Sequence, residues 1–193
     1  DFSRPDLVIS FGTDFLETFG SPVGYAKAHA NRRRLDGGDA ARFVQIESRF
    51  SMTGSNADAW HAVTPGTEGL IAAAMVQTIL AEDRAQGIAP EALTQIGDLV
   101  AETTPESAAA ASGLSADTIR ELAREFSDPA TGAGRSLAVG GGVGASGETG
   151  ADGQLAITLL NYVAGNIGET VDFDRASTLG SSTYADMVEL GDA

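Results

Sequence analysis

The stretch Val63-Thr64-Pro65-Gly66-Thr67-Glu68-Gly69-Leu70, continuing through Ile71 to Leu80, decides how the chain is read. Pro65 and Gly66 stop an extended segment, and Thr67 is a residue type that caps helices. The apolar run that follows has the length and character of a buried helix. A turn and a helix N-terminus therefore meet at Glu68. Unpaired backbone N–H groups and the positive end of the helix dipole make such an end a seat for a phosphate or a polar heterocycle, and Glu68 sets an acceptor beside it.

Upstream, Leu7-Val8-Ile9-Ser10-Phe11 is a short β-branched, apolar run. It reads as a strand buried on both faces, as in a parallel sheet. Gly12, Thr13 and Asp14 turn the chain at its carboxyl end, where ligands gather in open α/β sheets. Asp14 is either a ligand contact or a cap on the next turn, and spacing leaves both open. Ser21-Pro22 starts a helix that runs towards Arg34 and is broken at Asp36-Gly37-Gly38-Asp39. Phe43-Val44-Gln45-Ile46 is the second strand, which completes a βαβ unit. Glu47 and Arg49 stand at its end, as an acid for ribose hydroxyls with its neighbour or as a surface pair. The residues from Ser51 to Trp60 read as a loop with one helical turn at Asn56-Ala57-Asp58, and a third strand covers Ala62 to Thr64.

Downstream, two short helices are expected around Thr103-Thr104-Pro105. Ser115 caps a clear amphipathic helix with Ile119, Leu122, Ala123 and Phe126 inward. Ser136-Leu137-Ala138-Val139 is a further buried strand. Gly140, Gly141 and Gly142 follow it and let backbone approach a ligand, but no lysine with serine or threonine follows, so this is not a nucleotide-hydrolase phosphate loop. A helix is predicted from about Asp152 to Ala164 with Leu155, Leu159 and Leu160 inward. Gly165-Asn166-Ile167-Gly168 would close it, with glycine and asparagine in left-handed positions. The tail 173–193 is polar, glycine-broken and expected to be loosely ordered. The whole, 1–193, reads as one α/β domain: Rossmann-like, three layers, a mostly parallel sheet flanked by helices.

With 193 residues and 42% hydrophobic content the chain can bury a real core. It has no cysteine, which excludes thiol catalysis, disulfides, thiolate zinc sites and an iron–sulfur cluster held by this chain alone. His29 and His61 are the only histidines; both are expected to be ordinary surface or half-buried residues. No metal site and no catalytic acid, base or nucleophile constellation is predicted. The net charge of -15, with Lys27 the only lysine, excludes an extended nucleic-acid track. Arg32-Arg33-Arg34 reads as a solvated helix end. No apolar run is long enough and clean enough to span a bilayer, and Asp1-Phe2-Ser3-Arg4 lacks the pattern of a signal peptide.

Five of these segments in order resemble the molybdopterin oxidoreductase superfamily, which includes dimethyl sulfoxide reductase, formate dehydrogenase and polysulfide reductase. They are Asp6 to Gly12; Phe43 to Arg49; Asn56 to Trp60 with Pro65-Gly66-Thr67-Glu68; Ser115 to Phe126; and Leu160-Asn161 with Gly165 to Gly168. The resemblance implies the third domain of that family, an α/β unit that holds one molybdopterin guanine dinucleotide. By position, Gly12, Thr13 and Asp14 would lie near the cofactor, with Glu47 near the guanosine ribose beside Arg49. Gly66, Thr67 and Glu68 would match the Gly-Thr-Asp motif whose carboxylate reads guanine, and Gly140, Gly141 and Gly142 would line the cofactor from the next strand.

The chain departs from the family's pattern at Asp14 in place of asparagine, at Glu47-Ser48 in place of aspartate-proline, at Glu68 in place of aspartate, and at Glu169-Thr170 in place of proline-glycine. An added carboxylate at Asp14 would repel phosphates. Phe11 to Glu17 most resembles the large iron–sulfur subunit of alternative complex III, a branch in which the fold is kept and the molybdenum cofactor is thought to be absent. Two functions follow as expectations. One is a cofactor-holding domain of a respiratory oxidoreductase; the other is a cofactor-free structural module of a quinol-oxidising complex. In both, the partners are the remaining domains of its own subunit and other subunits of a membrane complex, and the parent would be exported to the periplasmic side.

So acidic and lysine-poor a surface fits work at high salt, where screening relieves self-repulsion. The melting temperature is expected to rise as KCl is added, and a melting temperature that stays flat or falls would contradict salt adaptation.

Overall fold

All five residues of β1 (Leu7–Phe11) are buried, because this strand lies inside a four-stranded sheet of order β3-β2-β1-β4. The computed structural model describes residues 1–34, 40–129, 132–145, 147 and 149–175. β2 (Arg42–Glu47) and β4 (Ser136–Gly140) pair with β1 on either side, and β3 (Ala59–Ala62) pairs with β2. Every pairing is parallel. Leu7 lies opposite both Arg42 and Ser136, and Phe11 opposite both Ile46 and Gly140.

Alternation along these strands feeds two cores. Leu7, Ile9, Phe11, Val44 and Ile46 face Ile71, Met75 and Ile79 of α3 (Glu68–Ala81) and Ile157 and Leu160 of α7 (Gly150–Val163). Val8, Phe43 and Leu137 face the other way, onto Phe2 and Phe15, with Tyr25 and Ala28 of α1 (Pro22–Arg32) over them. The result is a three-layer α/β domain. α4 (Pro90–Val100), α5 (Pro105–Ser112) and α6 (Ala116–Phe126) complete the α3 side; Ser115 caps α6 by accepting from the Thr118 N–H at 3.1 Å.

At the α3–α7 crossing a Cβ on Gly69 would stand 2.4 Å from the Gly153 Cα, so these helices touch backbone to backbone near their N-termini. The outer edge of β4 is closed by side chains. Asn161 accepts from the Ala138 N–H and donates to its carbonyl, both at 2.9 Å, and Thr170 donates to the Ser136 carbonyl.

Several expected details differ. The helical turn in the 51–60 segment is α2 (Met52–Ser55), not Asn56–Asp58, because Ser51 caps it by accepting from the Gly54 N–H. β3 is correspondingly Ala59–Ala62 rather than Ala62–Thr64. Leu155 is 49% exposed, because the buried face of α7 runs through Ala156, Ile157, Leu160 and Val163. Gly165 and Gly168 have positive φ, but Asn166 does not; its amide donates to Ser136 Oγ at 2.9 Å and locks the start of β4. The arginine run is not simply solvated: Arg32 pairs with Asp6, and Arg33 grips Asp58 with two N–H groups. The break at Asp36–Asp39 and residues 176–193 of the expected tail lie outside the described residues. Phe173–Arg175 form a 3-10 turn.

His29 is buried rather than half-buried, with its ring edge-on to Phe15 and Phe43 and both ring nitrogens without hydrogen-bond partners. Burial, helped by the Arg33 charge and opposed by Asp58, lowers its pKa from 6.5 to about 4. The neutral ring is the form the fold accepts. Stability is therefore fully present above pH 6.5, where both states carry neutral histidine, and falls as acid protonates the unfolded chain first, down to about pH 4. The loss is on the order of 3 kcal/mol. In urea titrations His29→Phe is expected to flatten that part of the pH profile; an unchanged slope between the two proteins would contradict it.

Candidate functional site

The topology places a switch point between β1 and β4, since β2 and β3 lie on one side of β1 and β4 on the other. A crevice at the carboxyl ends of the strands is the consequence. Gly12, with φ +70°, ends β1, and Gly140 ends β4 beside it. A Cβ on Gly141, at φ +133°, would meet the Phe19 ring at 2.7 Å, so the loop after β1 packs directly onto the glycine loop after β4. A Cβ on Gly140 would meet Ile157 and Gln154. At Gly141 the positive φ and the Phe19 ring together require glycine, whatever else the loop holds.

Asp14 is 4% exposed and tied to the protein at every oxygen. Its carboxylate accepts from the Thr53 hydroxyl and N–H and from Arg49 Nη2 at 3.1 Å, while its carbonyl accepts from the N–H groups of Glu17, Thr18 and Phe19. Glu47 is 2% exposed and does not form a surface pair with Arg49. Its Oε1 accepts from the Ser51 N–H (2.8 Å), the Ser51 hydroxyl (3.1 Å) and Trp60 Nε1 (3.0 Å), and its Oε2 from Gln45 Nε2 (2.9 Å). Gly54 makes this possible, because a Cβ there would stand 2.2 Å from Glu47 Oε1.

At the start of α3, Thr67 does not cap the helix with its side chain; its hydroxyl donates back to the Thr64 carbonyl at 2.6 Å and tightens the turn instead. Gly66 has φ +81° and open space where a side chain would be. Glu68 is 3% exposed, and its Oε2 is buried without a hydrogen-bond partner. Burial pushes its pKa up, the backbone N–H groups of Glu68 and Gly66 hold it partly down, and the charge of Glu47 adds to the rise. An acceptor buried unmet at a helix N-terminus fits a ligand edge that carries donors. Beside it an apolar cleft of about 310 Å³ opens between α3, α4 and α7, lined by Gly66, Leu70, Leu99 and Leu155 among others.

The expected site residues therefore fall into one region at the strand ends, in three parts: Gly12, Thr13 and Asp14 with Gly140, Gly141 and Gly142; Glu47 with Arg49; and Gly66, Thr67 and Glu68. Sequence reasoning missed Gln45, Ser51, Thr53 and Trp60, which hold the two buried carboxylates. Only the Ser51-x-x-Gly54 cap carried a local signal. Among the described residues no cluster of three or more histidine, aspartate or glutamate side chains could hold a metal ion, and no helix is long and apolar enough to cross a membrane.

The fold is a three-layer α/β domain with an all-parallel four-stranded sheet. No protein-family model matches the chain. It is 31% identical over 130 residues, 65% of its length, to the thiosulfate reductase molybdopterin-containing subunit PhsA of Salmonella typhimurium. It is 27% identical over 124 residues, 64% of its length, to the menaquinone reductase, molybdopterin-binding-like subunit of Nitratidesulfovibrio vulgaris. The chain spans 16% and 18% of these relatives' lengths. Acetylene hydratase from Pelobacter acetylenicus shares the fold, with a TM-score of 0.69 at 15% identity over 89% of this chain and 23% of that one. These sequence matches support the molybdopterin oxidoreductase superfamily as the group this chain is similar to.

Proposed function

We propose that this chain, as a single domain of a larger oxidoreductase subunit, holds the guanine dinucleotide part of a molybdopterin guanine dinucleotide in a respiratory membrane complex. The observation that carries this is Glu68, a buried carboxylate with one unmet oxygen at the N-terminus of α3. Guanine presents an N–H and an amino group on one edge, and a carboxylate accepts from both. Gly12, Thr13 and Gly140 to Gly142 would line the dinucleotide along the switch point, and Arg49, 52% exposed at its side chain, would face its phosphates. Glu47 would stand behind the ribose and act by fixing the Ser51 loop and Trp60. When bound, the cofactor supplies redox chemistry at its metal; this domain binds and orients it. The relative named as a menaquinone reductase subunit supports a respiratory setting. In this reading the parent would stand on the periplasmic side, in contact with the other domains and subunits of its complex.

One observation favours a second reading, a cofactor-free structural module of a quinol-oxidising complex. Asp14 already neutralises Arg49, the cation that would meet a phosphate.

Molybdenum and released guanine nucleotide, measured in the full-length protein, separate the two. Both are expected near stoichiometric amounts, with nucleotide falling at least about tenfold in Glu68→Ala, as the loss of a charged hydrogen-bonding group implies. Absence of both from the native protein would leave only the structural module.

A further inference from the structure

We propose that Phe50 is a stacking platform for the purine base of the guanine nucleotide, an inference that rests on the function proposed above. Phe50 is 64% exposed at the carboxyl end of β2, one residue beyond Arg49. An exposed phenylalanine on a flexible loop would carry no message, but this ring has a fixed support. It meets Trp60 edge to face, with centroids 5.1 Å apart and planes at 89°. Trp60 is itself fixed by the hydrogen bond from its Nε1 to Glu47, a carboxylate that three further donors from Gln45 and Ser51 hold in place. Gly54 keeps the space beneath clear, since a Cβ there would stand 2.9 Å from Trp60 Cδ1.

The ring is thus exposed and oriented at once, and covering it would bury apolar area now in water. Met52, 55% exposed, adds apolar surface two residues further on. Glu47 pairs with Ala62 in the parallel strands β2 and β3, so the loop carrying Phe50 and the turn leading to Glu68 leave neighbouring strands at the same end of the sheet. A purine needs two partners of different chemistry, a flat apolar surface for its face and acceptors for its polar edge. Phe50 supplies the first and Glu68 the second. Stacking does not distinguish one purine from another, so Phe50 contributes affinity and Glu68 contributes the choice of guanine.

That division sets the test, with GDP and ADP as probes in equilibrium binding to protein freed of bound nucleotide and the fluorescence of Trp60, the sole tryptophan, as a second readout. Phe50→Leu is expected to weaken both nucleotides about tenfold while leaving their ratio unchanged, and Phe50→Tyr to restore affinity. Glu68→Gln is expected to erase the preference for GDP. Melting curves show that each variant is folded. If GDP binds with a preference that depends on Glu68 yet Phe50→Leu binds as tightly as the native protein, the stacking role is overturned and the proposed function stands. If GDP does not bind the native protein after its bound nucleotide has been removed, both fall.

Discussion

A carboxylate taken out of water must be met by donors, or it drives its own pKa upward, and leaving a buried acceptor unmet costs about 1–3 kcal/mol. Glu47 and Glu68 face that constraint within reach of each other's charge and end in opposite states. Glu47 gathers donors from β2, the Ser51 turn and β3, and so ties the second and third strands to the short helix between them. Glu68, at a helix N-terminus built by Pro65 and Gly66, keeps one oxygen buried and unmet. The first ties the strand ends together; the second leaves an unmet acceptor beside them.

The rigid frame is inherited from the sheet. With β1 flanked by β2 and β4, the loops after β1 and β4 have to lie side by side, and their contact through Phe19 and Gly141 leaves no room for a side chain. The contact of Gly69 with Gly153 brings the N-termini of α3 and α7 together at the same end of the molecule. Asn161 and Asn166 finish the frame by hydrogen-bonding to β4 at its open edge and at its start. The two asparagines carried the family resemblance, and their hydrogen bonds to β4 are structural uses that do not depend on a cofactor.

Strands β1, β2 and β4 were legible because their information is local, whereas β3 was misplaced. Leu7–Phe11 and Phe43–Ile46 are apolar runs, and the Ser115 cap with its inward residues is a helix pattern that neighbours do not alter. Asp14 and Glu47 were legible as candidates but not in their roles, because the donors that hold them, Thr53, Arg49, Gln45 and Trp60, are brought to them only by folding. The repulsion expected from Asp14 is answered by Arg49, a partner 35 residues away in the chain. The position of α2 was missed because Ser51 outcompetes Asn56 for the backbone of one turn. Thr67 was misread because its hydroxyl finds the Thr64 carbonyl before it finds a helix N–H.

The claim that Glu68 is the acceptor for guanine is tested most directly by the protons exchanged on binding. Burial holds part of the Glu68 population protonated in the acidic range, and donors from a guanine edge would stabilise the ionised form. Calorimetry of GDP binding in buffers of different ionisation enthalpy should therefore show proton release from the native protein in that range and none attributable to this site in Glu68→Gln. Equal proton release by the two proteins, or none by either, would contradict it.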